Sequence, residues 1–242
     1  MRPALVRPGL EDLTHCWSAS GFAQRRRFEE AARRFIRLPQ AGEGPLAYLW
    51  PEAVWRELLA TVSDPEGWLM ALSTATGVYF FPSREWPRRY VQFLKRLKVR
   101  RLLEAGAGRG YLSAALASLT AAAGIVFKAI DKGEGEFQGG LPTHEIVEVG
   151  DIFRVIHEFM PEVVLYAWPP PGQSLATLWQ SPSLRYLMVI GVKGGGVTGA
   201  PADWDILPHK PSPALSRFGR GRSSLSHQQA TIFWRPRHWA PY

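Results

Sequence analysis

Three acidic side chains, Glu104, Asp131 and Asp151, and a run of glycines carry the chemistry legible in this sequence. Glu104-Ala-Gly106-Ala-Gly108-Arg-Gly110 follows the strand-like Arg101-Leu-Leu and leads into Tyr-Leu-Ser-Ala-Ala-Leu-Ala, a helix pattern. Glycines at alternate positions between a buried strand and a helix allow a sharp turn. They also let a ligand come close to the backbone, because no β-carbon stands in the way. A dinucleotide fingerprint would space its glycines as G-x-G-x-x-G, whereas here they run G-x-G-x-G. Gly124-Ile-Val-Phe-Lys-Ala-Ile-Asp131 reads as a second buried strand ending in a carboxylate. An acid about 20 residues beyond such a loop accepts hydrogen bonds from ribose hydroxyls in nucleoside-binding α/β folds. Glu145-Ile-Val-Glu-Val-Gly-Asp151 supplies a third strand with an acid just past its end.

The acid-led glycine run resembles the first motif of class I S-adenosylmethionine-dependent methyltransferases. That resemblance implies a cofactor site built from Glu104, Gly106, Gly108, Gly110 and Asp131. Asp151 would hold the adenine amino group, with Ile152 packing on the ring. It also implies that the segment before the first core strand lines the methionine end, which directs attention to Tyr79 and Phe81; ordinary core packing accounts for these two aromatics equally well.

The elements that must position these residues follow a βαβ rhythm. Strands are expected at Arg101–Leu103, Ile125–Ile130, Ile146–Val149, Glu162–Ala167 and Arg185–Gly191, with helices at Arg84–Leu97, Tyr111–Leu119 and Asp151–Met160. Ser83 is the expected N-cap of the first of these helices. Trp204–Pro208 and Ala230–Trp234 are expected to form a closing antiparallel pair. Alternating strands and helices argue for an α/β fold, a doubly wound and mostly parallel sheet covered on both faces. The resemblance makes this the seven-stranded Rossmann-like sheet, spanning roughly Tyr79 to Trp234.

Residues 1–78 read as an N-terminal helical extension and 79–242 as the methyltransferase-like domain. Phe28, Ala31, Ala32, Phe35 and Ile36 recur at near-helical spacing between Gly21 and Leu38. Pro51 opens a second helix, Glu52–Val62, which Asp64-Pro-Glu-Gly is expected to end.

The chemistry belongs beyond the carboxyl ends of the strands. The fourth strand ends in Tyr166-Ala-Trp168-Pro169-Pro170-Pro171-Gly172. Amino-methylating nucleic-acid enzymes carry Asp/Asn/Ser-Pro-Pro-aromatic at the comparable place. Here Trp168 stands where the polar residue would be and Pro171 where the aromatic would be, so the side-chain acceptor for an adenine or cytosine amino group is missing. Trp168, Pro169 and Pro170 are the expected substrate contacts, Trp168 by stacking on a flat or cationic acceptor and the prolines through their carbonyls. A core tryptophan at a strand end is an equally good reading of Trp168. Gly191-Val-Lys193-Gly-Gly-Gly-Val-Thr-Gly199 is read as a mobile lid or acceptor loop. Among the histidines, His227 and His209 are the best-placed candidates for a general base, although methyl transfer to a good nucleophile mainly needs alignment. No pair of histidines is spaced as a metal site.

Composition narrows the setting. The chain has 242 residues, 46% hydrophobic, and one cysteine, Cys16, so an internal disulfide framework and a Cys-rich zinc site are excluded. No apolar run reaches 18 residues and no signal-peptide core opens the sequence, so a cytoplasmic, non-membrane protein is expected. Net charge is +8, with 29 basic residues of which only six are lysine. The cations form three blocks: Arg25–Arg27 with Arg33 and Arg34, Arg88 through Arg101, and Arg217, Arg220 and Arg222. Arginine forks suit phosphate, which makes RNA or another polyanion a candidate partner; solvated faces are the plainer alternative. The last block is expected to lie on an exposed loop.

Two functions remain open on the sequence. One is methyl transfer from S-adenosylmethionine to a small molecule, protein or RNA. The other is a binding module that keeps the fold and serves as an RNA- or protein-binding subunit.

Overall fold

A computed structural model describes residues 10–18, 21–133, 140–222 and 228–235 of the chain. The N-terminal part is helical: α1 (Leu10–His15), α2 (Phe22–Phe35), α3 (Glu52–Thr61) and α4 (Pro65–Thr76). The apolar spacing expected in α2 buries Phe28, Ala31, Ala32 and Phe35. Asp64 does not end α3 but starts α4. Its side chain accepts from the Gly67 N–H, Pro65 occupies the first turn, and Gly77 closes the helix in the left-handed region at φ 71°. A proline that lacks an N–H is tolerated there because that donor would be unpaired in any case.

These helices pack around aromatic rings. Phe35 stacks on Trp50 at 5.0 Å and meets Trp55 edge-on at 5.3 Å, and Trp55 contacts Phe81 at 5.8 Å. The same core takes in Tyr111 and Ala115 from the other part of the chain, and the Tyr48 hydroxyl donates to the Tyr111 carbonyl at 2.6 Å. Phe81 is fully buried in this core.

The remaining elements are β1 (Phe80–Pro82), α5 (Glu85–Arg96), β2 (Arg101–Ala105), α6 (Tyr111–Ala122), β3 (Val126–Asp131), β4 (Val147–Val149), α7 (Ile152–Phe159), β5 (Val163–Ala167), β6 (Tyr186–Val192), α8 (Pro201–Ile206), β7 (His209–Pro211), α9 (Pro213–Ser216), β8 (Gly219–Gly221) and β9 (Gln228–Trp234), with a 3-10 turn at Ala176–Gln180. A seven-stranded sheet runs β4-β3-β2-β5-β6-β9-β7. The first five strands are parallel, and β9 is antiparallel to both of its neighbours. The α/β, mostly parallel architecture with an antiparallel C-terminal edge therefore holds. Buried runs such as Val163–Leu165 and Leu187–Ile190 have the continuous apolar character of strands covered on both faces.

Three local expectations do not hold. Trp204 lies in α8 rather than in a strand, and the edge strand begins at His209. Pro201 in the first turn of α8 favours the helix, and Trp204 packs edge-on against Phe233 at 5.0 Å. Ser83 does not cap α5: Arg84 is the N-cap, and the buried Ser83 hydroxyl has no partner. The third difference is burial. β3 is covered only towards its end, at Ala129 and Ile130, because it lies next to the short edge strand β4.

A second, two-stranded sheet pairs β1 with β8, which lies in the connection between the last two strands of the main sheet. It ties the entrance of the domain to its C-terminal part. Its middle residue, Arg220, is buried and ion-paired with Glu52 of α3, with its guanidinium 5.1 Å from the Trp55 ring.

Candidate functional site

The chain order β2, β3, β4 builds one half of the sheet and β5, β6 the other. The connections that leave the neighbouring strands β2 and β5 thus run in opposite directions from their carboxyl ends, the place where open α/β sheets bind ligands. A cavity of about 260 Å³ opens there. Its floor is the glycine turn. Gly106, Gly108 and Gly110 all have positive φ, at 61°, 54° and 76°. A β-carbon on Gly106 would lie 2.8 Å from the Tyr166 ring, and one on Gly110 would lie 2.8 Å from Val147, so glycine is required at both. A β-carbon on Gly108 would meet nothing within 4 Å. Gly108 instead leaves its side of the cavity open. Gly110 packs behind the lining and serves the turn rather than the ligand.

Asp131, at the end of β3, reaches this turn. One carboxylate oxygen accepts from the Gly108 N–H at 2.8 Å and the other from the Gly133 N–H at 3.0 Å. Each oxygen retains a second lone pair, and Asp131 lines the cavity.

Glu104, the last but one residue of β2, is 2% exposed, and its Oε2 has no hydrogen-bond partner. Burial raises its pKa to about 8; the nearby Ser113 hydroxyl opposes that rise and the Asp131 charge adds to it. A buried carboxyl without a cation beside it is costly in its charged form, so Glu104 is held mostly protonated at neutral pH.

The other wall is aromatic. Tyr79, Tyr166 and Trp168 line it, with Pro170 and Gln173 at the edge. Burial and the carboxylates of Asp131 and Asp151 push the Tyr166 phenol up to about 12. Trp168 has φ 54°, rare for a bulky residue and a strain of roughly 1–3 kcal/mol. Its backbone N–H donates to the Ile190 carbonyl at 2.7 Å, its ring meets Tyr79 edge-on at 6.4 Å, and its buried indole N–H is unpartnered. Both expectations for Trp168 have support, since it lines the cavity and also packs with Phe80, Trp86 and Phe218.

Other sequence candidates fall elsewhere. Asp151 stands outside the lining: one oxygen accepts from the Phe153 and Arg154 N–H groups and caps α7, and the other lies 3.8 Å from Lys132. Its neighbours Gly150 and Ile152 do line the cavity. Pro169 is buried beside the site, and the carbonyls of Pro169 and Pro170 already accept from Gly199 and Gln173. The Gly191–Gly199 loop is pinned rather than free, because the buried Thr198 hydroxyl accepts from the Val192 N–H at 3.0 Å and Trp204 reaches the Thr198 carbonyl. His209 pairs with Phe233 at the opposite edge of the sheet. His227 lies outside the described residues. Phe81 is replaced on the wall by Phe80, its neighbour on the other face of β1.

Sequence reasoning did not assign Tyr166, Lys132 and Gln173 to the site. Tyr166 had a signal: a tyrosine one residue from the end of an otherwise aliphatic strand, where its polar tip needs an outlet. No group of three or more metal-ligating side chains is found among the described residues. No helix among them is long and apolar enough to cross a membrane.

The strand order, with the single reversed strand second from the edge, is the fold of class I S-adenosylmethionine-dependent methyltransferases. No protein-family model matches the chain, and none of the curated proteins matches it in sequence. Several solved structures are similar in fold. The S-adenosylmethionine-dependent methyltransferase SibL, in its apo form, aligns at 13% identity over 95% of this chain and 74% of that chain, with a TM-score of 0.41. Human N-acetylserotonin methyltransferase in complex with SAM aligns at 11% identity over 88% and 67%, TM-score 0.37. An O-methyltransferase family protein from Burkholderia thailandensis aligns at 9% identity over 90% and 73%, TM-score 0.37. The fold assignment rests on the strand order, and the chemistry rests on the cavity's own residues.

Proposed function

We propose that this protein is an S-adenosylmethionine-dependent methyltransferase whose acceptor is a small molecule, protein or RNA. The observation that carries this reading is the convergence of Glu104, the glycine turn and Asp131 on one cavity at the sheet's switch point. The residues present fit the cofactor. Asp131 would take ribose hydroxyls, and open space at Gly108 admits the ligand to the backbone. The unpartnered Glu104 oxygen would receive the amino group of the methionine portion, and Ile152 would pack on the adenine. In this arrangement Asp151 keeps α7 and its Ile152 in place, with its second oxygen left to the adenine amino group. When bound, the cofactor supplies an electrophilic methyl group on a sulfonium.

The chain's own part is alignment and exclusion of water, the dominant requirement when the acceptor is a good nucleophile. Trp168 and Tyr79 form the wall that orients the acceptor, and Pro170 and Gln173 form its rim. Among the described residues no histidine lines the cavity. We place the division between helical extension and catalytic domain near residues 78 and 79, and the protein in the cytoplasm.

The test is transfer of radiolabelled methyl from S-adenosylmethionine into a total cell extract separated into RNA, protein and small-molecule fractions. Label should enter one fraction with the wild-type protein and not with Asp131→Ala. Cofactor binding without label in any fraction would favour the binding-module reading.

A further inference from the structure

The three arginine blocks have different fates in the folded chain. On α2, Arg25, Arg26 and Arg33 pair with Glu29 and Glu30 one turn away. In the last block Arg220 is buried on Glu52, and Arg222 lies 4.1 Å over the Tyr79 ring. The expected exposed loop is thus largely a structural strand.

The α5 block differs. Arg88 and Arg89 are exposed, as are Lys95 and Arg96 two turns on, so they share one face, opposite the buried Trp86, Tyr90, Val91 and Leu94. Lys98 and Arg100 extend the stripe past the helix end, and both are exposed. Arg217 joins it from α9's end, since Arg89 and Arg217 both lie against the Phe218 ring, at 4.3 and 5.5 Å. None of these seven cations is in an ion pair among the described residues, and Glu85 is the only acid in α5. They match all but one unit of the chain's net +8.

The helix dipole accounts for Lys95 and Arg96 in the last turn. It disfavours Arg88 and Arg89, which stand near the positive end. A stripe of like charges about 10 Å per two turns, kept without the acids that neutralise α2, is complementary to a regularly charged polyanion.

We propose that this face of α5, with Arg217, binds the phosphodiester backbone of a nucleic acid. The surface does not depend on the cofactor assignment. Contact is through phosphates, so binding is sequence-tolerant and salt-dependent.

The test is fluorescence anisotropy with a labelled 20-mer single-stranded RNA, and separately a 20-base-pair DNA duplex, between about 50 and 200 mM salt. The wild-type protein should bind at least one, and the preferred probe identifies the source of the backbone. The variant Arg88→Gln/Lys95→Gln/Arg96→Gln/Arg100→Gln should lose at least tenfold in affinity. For the single strand its salt slope should fall by about 0.7 per phosphate contact removed, or about 3. The control Arg25→Gln/Arg26→Gln should remain within twofold of wild type. Melting curves and titration with S-adenosylhomocysteine should be unchanged in the quadruple variant, which separates this surface from the cavity. The proposal is overturned if neither probe binds at 50 mM salt, if the quadruple variant binds as wild type does, if the α2 control loses as much, or if heparin alone is bound.

Discussion

The two walls of the cavity are built by different means. The glycine and carboxylate wall is mostly main chain: a turn whose φ values require glycine, locked by Asp131 onto the Gly108 N–H, with Glu104 beneath it. The aromatic wall is made of side chains held by distant segments. Tyr79 is covered by Arg222, and the Trp168 ring packs against β8, both from the connection between β7 and β9. A wall made of backbone has few solutions and therefore a fixed sequence signature. A wall made of packed rings has many, so its residues can change with the acceptor while the fold stays the same.

Breaking the aromatic wall has the largest expected effect. Trp168→Ala removes a ring packed in the core and should destabilise the protein by about 3–5 kcal/mol, read from its melting temperature. Trp168→Phe should restore much of that stability. If the ring orients the acceptor, the phenylalanine variant will bind S-adenosylhomocysteine within about tenfold of wild type yet lose far more in methyl transfer. Equal turnover in Trp168→Phe would reduce Trp168 to a packing residue.

Breaking the other wall should be felt in binding. Asp131→Ala removes charge-assisted hydrogen bonds to the ribose and releases the glycine turn. A loss of about 1.5–3 kcal/mol in S-adenosylhomocysteine affinity is expected by calorimetry, roughly ten- to hundredfold. Wild-type affinity in this variant would contradict the ribose assignment.

The smallest effect is on pH dependence. Glu104 has a folded pKa near 8 against an ordinary value of 4.5. Its raised value means that the folded protein binds more protons than the unfolded one between these limits. The contribution to stability is therefore present below pH 4.5 and is lost as pH rises towards 8. A ligand ammonium at Glu104 favours the ionised form, so binding releases a proton. Affinity should rise between pH 6 and 8, by at most about tenfold per pH unit. Calorimetry in buffers of different ionisation enthalpy reads the proton directly. Glu104→Gln should abolish both dependences, and a pH-dependent affinity that survives in it would assign the proton to another group.

The same contrast explains what was legible in the sequence. The glycine spacing, the acids at the ends of β2 and β3 and the apolar runs of β5 and β6 each follow from a local rule of turn or strand, and each stands where expected. Trp204 lies in a helix rather than a strand because the short, mostly apolar segment Trp204-Asp-Ile-Leu-Pro208 fits either element, and Pro201 decides between them. Asp64 was read as a stop when it is a cap, since the same residue types punctuate both ends of helices. Arg220 was read as exposed because its partner, Glu52, lies 168 residues away. No local pattern announces such a pairing. Nor does one announce the contact of Gly221 with Trp168, on which the acceptor wall depends.

The central claim is that the cavity between β2 and β5 holds S-adenosylmethionine. Calorimetric titration of the wild-type protein with S-adenosylhomocysteine tests it most directly. The account predicts saturable binding of one ligand per chain, with adenosine competing for the same site. A folded protein that gives no heat and no rise in melting temperature at millimolar ligand would contradict it.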